Sequence, residues 1–471
     1  MQMERSKIGL LDEKQIGKKV LIKGWVDTIR EHGRLIFLDI RDLSGIIQTV
    51  VSAKNKEIFA LAEKLSKESS ISIMGPINPR PNGTENEKIP TGKIEIEIQG
   101  LEIYNICPPL PFDLDNTDVN EEIRLKYRYL DLRRPIMQKN LILRGKIIEI
   151  IRNFFASLEF TEFETPFLAK STPEGARDYI VPSRVHPGRF YALPQSPQLF
   201  KQLLMVSGME KYFQIARCMR DEDLRADRQP EFTQLDVEMS FIDQEDIFNI
   251  VEQLMKNIFR EILHEELKIP FKRIPYRESM EKYISDKPDL RKETGERFAF
   301  AWIVDFPLFE YSSEEKRYVA AHHPFCMPND LALFEKDPTK VLGKTYDLVL
   351  NGTELLSGSI RIHNPEIQQK VFDILGITKK EAQEKFGFLL NALSYGAPPH
   401  GGFAIGLDRF IQIIAGANSI REIIAFPKNS DARDIMLDAP SPITAEQLKE
   451  ANIRLDLPAE KKASADKASK K

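Results

Sequence analysis

The chain of 471 residues contains little cysteine, and its cysteines lack the spacing of zinc ligands. Cys107, Cys218 and Cys326 are far apart, which argues against a disulfide framework or a cysteine metal site. Reduced cysteines are typical of intracellular proteins. The first residues, MQMERSKIGLLDEKQ, lack the apolar stretch of a signal peptide, and no run approaches the ~20 apolar residues of a membrane span. We therefore expect a cytoplasmic protein without a membrane segment.

A strong excess of charge of either sign is also absent. The 67 basic and 71 acidic residues give a net charge of −4, so any contact with nucleic acid must come from local basic patches. The sequence has no Walker lysine loop and no GxGxxG stretch, and a P-loop or Rossmann nucleotide site is therefore unsupported. The length predicts about two to four domains.

The first hundred residues predict a small β domain. The strand candidates are residues 20–26, 35–40, 46–51, 71–74 and the alternating stretch 94–98. A helix is predicted at 57–65, after the third strand. Three strands, a helix and two more strands is the order of an OB barrel, a fold that binds single-stranded nucleic acid. Many other small β domains share this order.

The remainder of the chain changes character after a proline-rich stretch that begins at Cys107. Residues 107–136 are predicted to be a hinge or linker. From Met137 the apolar residues follow a helical period, and up to residue 454 strands and helices mix without a βαβ rhythm. This favours an α+β domain built on an antiparallel sheet. The Lys-rich, low-complexity tail at 455–471 is predicted to be disordered, with an electrostatic contact to RNA as the alternative.

Two arginine motifs carry the chemistry of the second domain. Arg220 lies shortly before Phe232, and Arg409 ends the sequence GLDR at 406–409. Arginine forks bind phosphate oxygens bidentately, so the two arginines are candidates to clamp a triphosphate. Asp347 and Glu354 are candidates for Mg²⁺, and Phe232 for stacking on adenine. A single arginine is more often a surface ion pair and a single Phe more often core; only the combination favours activation of a carboxylic acid by ATP.

Long stretches of the chain resemble the class II aminoacyl-tRNA synthetases, and among them the bacterial-type aspartyl-tRNA synthetases. The matching strings are RLKYRYLDLRR at 124–134, STPEGARDY at 171–179, QSPQLFKQ at 195–202, RCMRDEDLRADRQPEF at 217–232, HHPF at 322–325, GSIRIH at 358–363 and GAPPHGG at 396–402. The resemblance covers about residues 17 to 455. It implies an OB-fold anticodon-binding domain at 1–106, a class II catalytic domain at 137–454, and a homodimer formed through the 137–166 region. It further implies an enzyme that makes aspartyl-adenylate from L-aspartate and ATP and transfers aspartate to tRNA(Asp).

The resemblance also implies which residues act. The aspartate pocket would consist of Glu174, Ser196, Gln198, Lys201, Asp236, His322, His323 and Arg361. The ATP site would consist of Arg220, Asp221, Glu222, Gln229, Phe232, Glu354, Gly406, Leu407, Asp408 and Arg409, with Arg220, Glu354 and Arg409 as catalytic residues. Asp347 and Glu354 would bind Mg²⁺. The anticodon would be read by Arg30, His32, Phe37, Gln48 and Glu95.

The proposed acid is aspartate rather than asparagine because Lys201 and Arg361 supply positive charge that an amide cannot match. Leaving such charges unpaired costs several kcal/mol by order of magnitude, which discriminates between the two acids. Two rivals remain open: an asparaginyl enzyme, which Lys201 argues against, and a non-catalytic tRNA-binding relative. The second would be favoured by loss of Arg220, Glu354 or Arg409, and all three are present.

The chain departs from the family pattern in three places. The bacterial type usually inserts a domain between the two halves of its catalytic core, whereas here residues 285–291 run almost directly into residue 301. Asp27, Thr28 and Ile29 stand where relatives often carry arginines, and Glu159 stands where the dimer motif has glycine. In the family, His at the position of His32 accompanies enzymes that charge both tRNA(Asp) and tRNA(Asn), which predicts the same breadth here.

Overall fold

The computed structural model describes residues 3–172, 175–224 and 227–456. The chain forms two compact units, Met1–Asn116 and Thr117–Lys471. Their boundary falls inside the segment 107–136 that the sequence predicts as a linker. Glu174 and residues 457–471 of the predicted tail lie outside the described residues.

The first unit is a closed β-barrel with one α-helix. Its elements are β1 (Lys19–His32), β2 (Leu35–Asp42), β3 (Gly45–Ser52), α1 (Lys56–Ala62), β4 (Ser70–Pro79), β5 (Ile94–Glu97) and β6 (Gly100–Asn105). The strand order is β1-β2-β3-β5-β4-β6, and β1 also pairs with β4, which closes the sheet on itself. This arrangement confirms the predicted OB barrel.

The interior of the barrel follows from the alternation of apolar residues along its strands. Ile22, Leu38, Ile47, Ile73 and Ile96 are all fully buried or nearly so in one cluster. The sequence analysis expected two strands after the helix, and β6 is a third. It was missed because its side chains are half-buried or exposed along its whole length, which leaves no clear two-residue period.

The second unit mixes helices and strands. Its first half contains α2 (Glu121–Lys126), α3 (Arg128–Asp131), α4 (Pro135–Ser157), β7 (Thr161–Glu162), β8 (Ile180–Pro182), β9 (Phe190–Ala192), α5 (Gln198–Val206), β10 (Lys211–Met219), β11 (Glu231–Ser240), α6 (Gln244–Leu263), β12 (Lys272–Pro275), α7 (Tyr276–Tyr283) and α8 (Arg291–Thr294). Its second half contains β13 (Phe300–Val304), β14 (Phe309–Ser312), β15 (Arg317–Ala320), α9 (Leu331–Lys336), β16 (Thr345–Leu350), β17 (Thr353–Ile360), α10 (Pro365–Ile374), α11 (Lys379–Leu393), β18 (His400–Gly406), α12 (Leu407–Ala415) and α13 (Ala445–Glu450).

A large sheet organises this unit, with strand order β12-β13-β16-β17-β18-β11-β10-β7. Every neighbouring pair is antiparallel except the two at the edges, β12–β13 and β10–β7. The predicted α+β class with an antiparallel sheet is confirmed. Residues 295–299 alone separate α8 from β13, at the place where an inserted domain is predicted to be missing. In the part of the chain that the structure describes, no helix is long and apolar enough to cross a membrane.

The two faces of the sheet have different surroundings. One face is covered by α4, α6 and α12, whose apolar side chains share a single buried cluster with the sheet. Along β11, Leu235, Val237 and Met239 belong to this cluster. Residues 232, 234, 236 and 238 therefore point to the opposite face, because successive side chains alternate across a strand. That face is polar, and it carries the candidate site.

A buried group of arginines fixes the segment before α4. Asp131 is fully buried and accepts hydrogen bonds from Arg124 at 2.9 Å, Arg128 at 2.6 Å and Arg134 at 3.3 Å. Arg128 also donates to the backbone carbonyls of Arg421, Ile424 and Ala425 at 2.6–2.8 Å. One guanidinium thus holds two segments almost 300 positions apart in the sequence.

Replacing Arg128 with alanine should lower the free energy of unfolding by about 3–5 kcal/mol, because it leaves three carbonyls and part of Asp131 without a buried donor. Arg277→Ala is the matched control, since Arg277 pairs only with Glu281 at the surface and should change the stability little. Urea unfolding followed by circular dichroism measures both. Equal midpoints for the two variants would contradict the assignment.

Candidate active site

A cavity of about 450 Å³ lies on the polar face of the large sheet. Most of the predicted site residues line it: Ser196, Gln198, Lys201, Arg220, Glu222, Gln229, Phe232, Asp236, His322, His323, Glu354, Arg361, Gly406, Asp408 and Arg409. They come from α5, β11, β17, β18, α12, the loop before α5 and the loops that follow β10, β15 and β17. The sheet therefore gathers residues that are spread over more than two hundred positions of sequence.

Three predicted residues do not line the cavity. Leu407 is fully buried in the hydrophobic cluster, so its backbone alone is available to a ligand. Asp221 forms a backbone bridge with Arg177. Asp347 is 5% exposed in β16, behind the cavity wall, where its Oδ1 lies 3.4 Å from Nε2 of His322.

The deepest part of the cavity contains two cations and two carboxylates in mutual contact. Nζ of Lys201 lies 2.9 Å from Oδ1 of Asp236 and 3.4 Å from Oε2 of Glu238. Arg361 donates to both Glu238 oxygens, at 2.9 and 3.2 Å. All four side chains are at most 2% exposed. We call these four residues the charge quartet.

The quartet is electrically balanced, and this corrects the argument from charge alone. Lys201 and Arg361 are not free cations, because each has a carboxylate partner. Burial raises the pKa of Glu238, but the charges of Arg361 and Lys201 and the hydrogen bonds from Arg361 together outweigh burial, and the net shift is downward. Burial also raises the pKa of Asp236, and Lys201 only partly offsets this rise. One acceptor of the quartet, Oδ2 of Asp236, is buried without a hydrogen-bond partner and fits an incoming donor such as an ammonium group.

Arg361 uses all five of its N–H groups in this conformation. Besides Glu238, it donates to the carbonyl of Gly402 at 3.3 Å, to Oγ of Ser359 at 2.6 Å and to Nε2 of His323 at 2.6 Å. Burial and the charge of Arg361 hold the pKa of His323 well below its usual range, so this imidazole is a neutral acceptor. An anionic ligand can displace the two neutral acceptors on Nη1, because charged acceptors bind N–H groups more strongly.

The outer part of the cavity presents two arginines. Cζ of Arg220 lies 5.0 Å from the ring centroid of Phe232, and its Nε is buried without a hydrogen-bond partner. Nη1 of Arg409 donates to the backbone carbonyl of Glu354 at 2.7 Å, and its Nη2 lies 3.4 Å from Asp227. Buried or loosely paired guanidinium groups of this kind suit an arriving phosphate.

Three neighbours fix the outer wall. Gln229 exchanges two hydrogen bonds, of 3.0 and 2.8 Å, with the backbone of Lys428. Glu222 pairs with Arg228 at 2.8 Å. The carboxylate of Asp408 lines the cavity but is already engaged: Arg144 donates to one oxygen, and the backbone N–H of Thr233 donates to the other at 2.8 Å. The carboxylate of Asp408 therefore joins α12 to β11. This connection orients the neighbouring residue, Arg409.

Glu354 lines the cavity, and Asp347 behind the wall is close enough for the like charges of the two carboxylates to interact. Burial, together with the charge of Glu354, raises the pKa of Asp347 despite the opposing contact with His322. Burial alone would lower the pKa of His322, but its hydrogen bond with Asp347 and the negative charges of Asp347 and Glu354 together outweigh burial and raise it. No group of three or more metal-binding side chains occurs within the described ranges. Mg²⁺ commonly uses one or two carboxylates plus substrate phosphates, so the pair fits this ion.

Matches between this chain and models of known protein families show which family it belongs to. The family model for "tRNA synthetases class II (D, K and N)" matches residues 120–430, and the model for "OB-fold nucleic acid binding domain" matches residues 20–106. The chain is a class II tRNA synthetase. The resemblance drawn from its motifs is confirmed.

Close relatives of the synthetase share its whole length. The aspartate–tRNA(Asp/Asn) ligase of Dictyoglomus turgidum is 45% identical over 582 residues, covering 96% of this chain and 98% of the relative. That of Heliobacterium modesticaldum is 44% identical over 571 residues, covering 94% of each. A solved asparaginyl-tRNA synthetase from Pyrococcus horikoshii, complexed with asparaginyl-adenylate, is 23% identical with a TM-score of 0.74, covering 90% of this chain and 98% of that one. At this identity the structural match shows the fold alone.

The barrel of the synthetase brings its five predicted anticodon residues onto adjacent strands. Arg30 donates to Gln48 at 3.0 Å, and Gln48 donates to Glu95 at 2.6 Å. The rings of His32 and Phe37 meet edge-to-face, with centroids 6.1 Å apart. One partner was missed: Asp39 binds both terminal nitrogens of Arg30, at 2.7 and 2.8 Å.

Two further site residues escaped the sequence analysis, Glu238 and Lys287. Glu238 stands two positions after Asp236 on the same strand, so the period of two could have placed it on the same face. Lys287 lines the cavity with its Nζ 2.8 Å from Glu354. Lys287 belongs to residues 285–291, for which the sequence predicts only a missing inserted domain.

Glu238→Gln should lower the free energy of unfolding by about 3–5 kcal/mol, because two buried cations would then share one carboxylate. The matched control is Glu222→Gln in the same cavity, whose pair with Arg228 is partly exposed and contributes little. Thermal unfolding of both variants measures the difference. A Glu238→Gln midpoint equal to that of the control would refute the energetic importance of the quartet.

Proposed function

We propose that the synthetase is an aspartate–tRNA ligase, which activates L-aspartate with ATP to aspartyl-adenylate and pyrophosphate and then charges both tRNA(Asp) and tRNA(Asn). The observation that carries this proposal is the charge quartet next to the two arginines of one cavity. Relatives that are 44–45% identical over nearly the whole chain are named aspartate–tRNA(Asp/Asn) ligases, which supports the same acid and the same breadth of tRNA.

Aspartate would occupy the deep end of the cavity. Its α-ammonium group suits the unpartnered Oδ2 of Asp236, with Ser196 and Gln198 beside it. Its side-chain carboxylate would displace the neutral acceptors on Nη1 of Arg361. Asparagine would bring an amide NH₂ toward N–H donors that cannot accept a hydrogen bond. A site built for one hydrogen-bonding pattern rejects the analogue that lacks it, which supports aspartate as the substrate.

ATP would occupy the outer end. Phe232 offers its ring to adenine, and Arg220 and Arg409 offer their guanidinium groups to the phosphates. The α-carboxylate of aspartate attacks the α-phosphorus in line, Arg220 stabilises the charge that develops there, and pyrophosphate leaves. Mg²⁺, held by Asp347 and Glu354, would neutralise phosphate oxygens. These residues act by binding and positioning, and no side chain has to accept a proton.

Transfer to tRNA completes the reaction. A ribose hydroxyl of the terminal adenosine attacks the mixed anhydride, and a phosphate oxygen can take its proton. The barrel would hold the anticodon, with Phe37 stacking on a base and the Arg30–Gln48–Glu95 chain facing base edges. His32 contacts Phe37 directly, so it stands where a change of side chain would alter which anticodon base is accepted.

Two accompanying predictions belong to this proposal. We place the enzyme in the cytoplasm, where translation takes place. We also expect a homodimer through the 137–166 region, because Ile142 and Leu158 in it, and Phe167 and Leu168 next to it, are 37–54% exposed. Large apolar side chains that are exposed along one segment favour a subunit interface there.

Substrate-dependent exchange tests the proposed function. The wild-type protein should incorporate pyrophosphate into ATP when aspartate is present and fail to do so with asparagine. It should then attach aspartate to transcripts of both tRNA(Asp) and tRNA(Asn). Exchange with asparagine alone would favour the asparaginyl enzyme, and no exchange with either acid would favour the non-catalytic relative. Failure to charge tRNA(Asn) would restrict the proposal to tRNA(Asp).

Arg220→Ala should lower the rate of aspartate-dependent exchange by about 10²–10³-fold, the effect of removing one preorganised donor from a charged transition state. Arg277→Ala, at an exposed position outside the cavity, is the control and should exchange normally. Steady-state exchange assays at saturating aspartate measure both. Near-normal exchange by Arg220→Ala would remove Arg220 from the mechanism.

Phe37→Ala should weaken tRNA binding by ~1–3 kcal/mol, the value of one base stacked on an aromatic ring. The KM for tRNA(Asp) in aminoacylation should rise accordingly. Exchange of pyrophosphate needs no tRNA and serves as the internal control, so it should be unchanged. A loss of exchange in the same variant would indicate a folding defect, and an unchanged KM would exclude stacking on Phe37.

A further inference from the structure

Lys287 reaches into the cavity from a segment to which the proposed mechanism gives no part. Its Nζ lies 2.8 Å from Oε2 of Glu354, and the two side chains are 40% and 30% exposed. The segment is residues 285–291, between α7 and the first residue of α8. We call it the lysine strap.

The strap has a fixed backbone. Leu290 is 1% exposed in an apolar cluster with β12 and β13, and the backbone N–H of Lys287 donates to Oγ of Ser285 at 3.0 Å. The strap also packs against the turn between β16 and β17. A Cβ added to Gly352 would lie 3.2 Å from Cβ of Asp289 and 3.7 Å from the carbonyl oxygen of Lys287. The backbone of Lys287 is therefore held in place, whereas its ammonium group is carried on a flexible four-carbon side chain.

The surroundings of this ammonium group are the candidate magnesium ligands. Glu354 on β17 is its direct partner, and the charges of Asp347 on β16 and of Asp286 on the strap also act on it. Arg409 faces the same point, bound to the backbone carbonyl of Glu354 rather than to its carboxylate. Lys287 is thus the side-chain cation that balances the carboxylate of Glu354 in this structure.

We infer that Lys287 exchanges partners during the reaction: it balances Glu354 in the free enzyme and pairs with the outgoing phosphates of ATP when Mg²⁺ takes that carboxylate. This inference rests on the proposed function. Asp347 and Glu354 would hold Mg²⁺, which would arrive with the phosphates of ATP, so new anions would be present where the ammonium group loses its carboxylate partner. A half-exposed ion pair is weak, so the exchange costs little.

A lysine suits this exchange better than a third arginine. Its ammonium group is a compact point charge on rotatable bonds and can follow a moving anion, whereas a guanidinium fork favours one bidentate geometry. Arg220, which stands over Phe232, serves the α-phosphorus in the proposed mechanism. Lys287 would therefore serve the β- and γ-phosphates, which leave together as pyrophosphate.

The partner exchange predicts opposite effects of one substitution on two ligands. Lys287→Met keeps the length of the side chain and removes its charge. Binding of Mn²⁺ alone should become about tenfold tighter, because no ammonium group competes for Glu354. Binding of ATP with Mg²⁺ should become about tenfold weaker, because the phosphates lose a cation. Lys287→Arg should restore most of the affinity for ATP with Mg²⁺.

The full-length protein tests this directly, with Mn²⁺ binding followed by electron paramagnetic resonance and ATP binding by calorimetry in the presence of Mg²⁺. Lys282→Met is the matched control, because Lys282 pairs with Glu293 at 3.1 Å outside the cavity. Opposite shifts in Lys287→Met alone support the inference. Unchanged binding of either ligand, or shifts in the same direction, overturn it. Aspartate-dependent exchange by the wild type is measured alongside, so that failure of the proposed function is seen separately.

Discussion

The charge quartet is the interaction on which the rest of the catalytic unit depends. Two cations and two carboxylates buried inside a sheet are costly to remove from water, and they are stable only when every partner is in place. Lys201 comes from α5, Asp236 and Glu238 from β11, and Arg361 follows β17, while carbonyls of β18 complete the contacts. The central strands cannot slide past one another without breaking it. The floor of the cavity is thereby as rigid as the core beneath it.

The outer end of the cavity is built differently. Arg220 has an unpartnered nitrogen, Arg409 is bound to a backbone carbonyl, and Lys287 has a partly exposed partner. Each of these cations can accept an anion without leaving a buried charge unpaired. In the proposed function the quartet would set the size and charge of the acid, and the loosely paired cations would accommodate a large, flexible triphosphate. Both properties follow from how deeply each charge is buried.

The sequence predicted those parts of the fold that are encoded in the pattern of residues close together in the chain. Alternating isoleucines predicted the barrel strands, and the long motif strings predicted most side chains of the cavity. What failed were contacts between distant segments. The pair Arg361–Glu238 joins residues 123 positions apart, and Arg144 reaches Asp408 across 264 positions; strand register and packing decide such pairs, and no local pattern encodes them. The same holds for the carboxylate of Asp408, whose bonds to Arg144 and Thr233 no local pattern revealed. β6 was missed for a different reason, because its side chains are half-buried or exposed along its whole length.

The connection at residues 295–299 has a consequence for protein engineering. The alignments with relatives run over 582 and 571 positions, more than this chain has residues, so the relatives contain segments that this chain lacks. Residues 291–297 are exposed, and Gly295 has a positive φ of 70°, as is usual where a helix ends and the chain turns freely. Exposed turns tolerate foreign sequence. This short loop is therefore a suitable insertion site for a fluorescent reporter. Because the loop is close in sequence to the lysine strap, the reporter could signal events in the cavity without replacing any cavity residue.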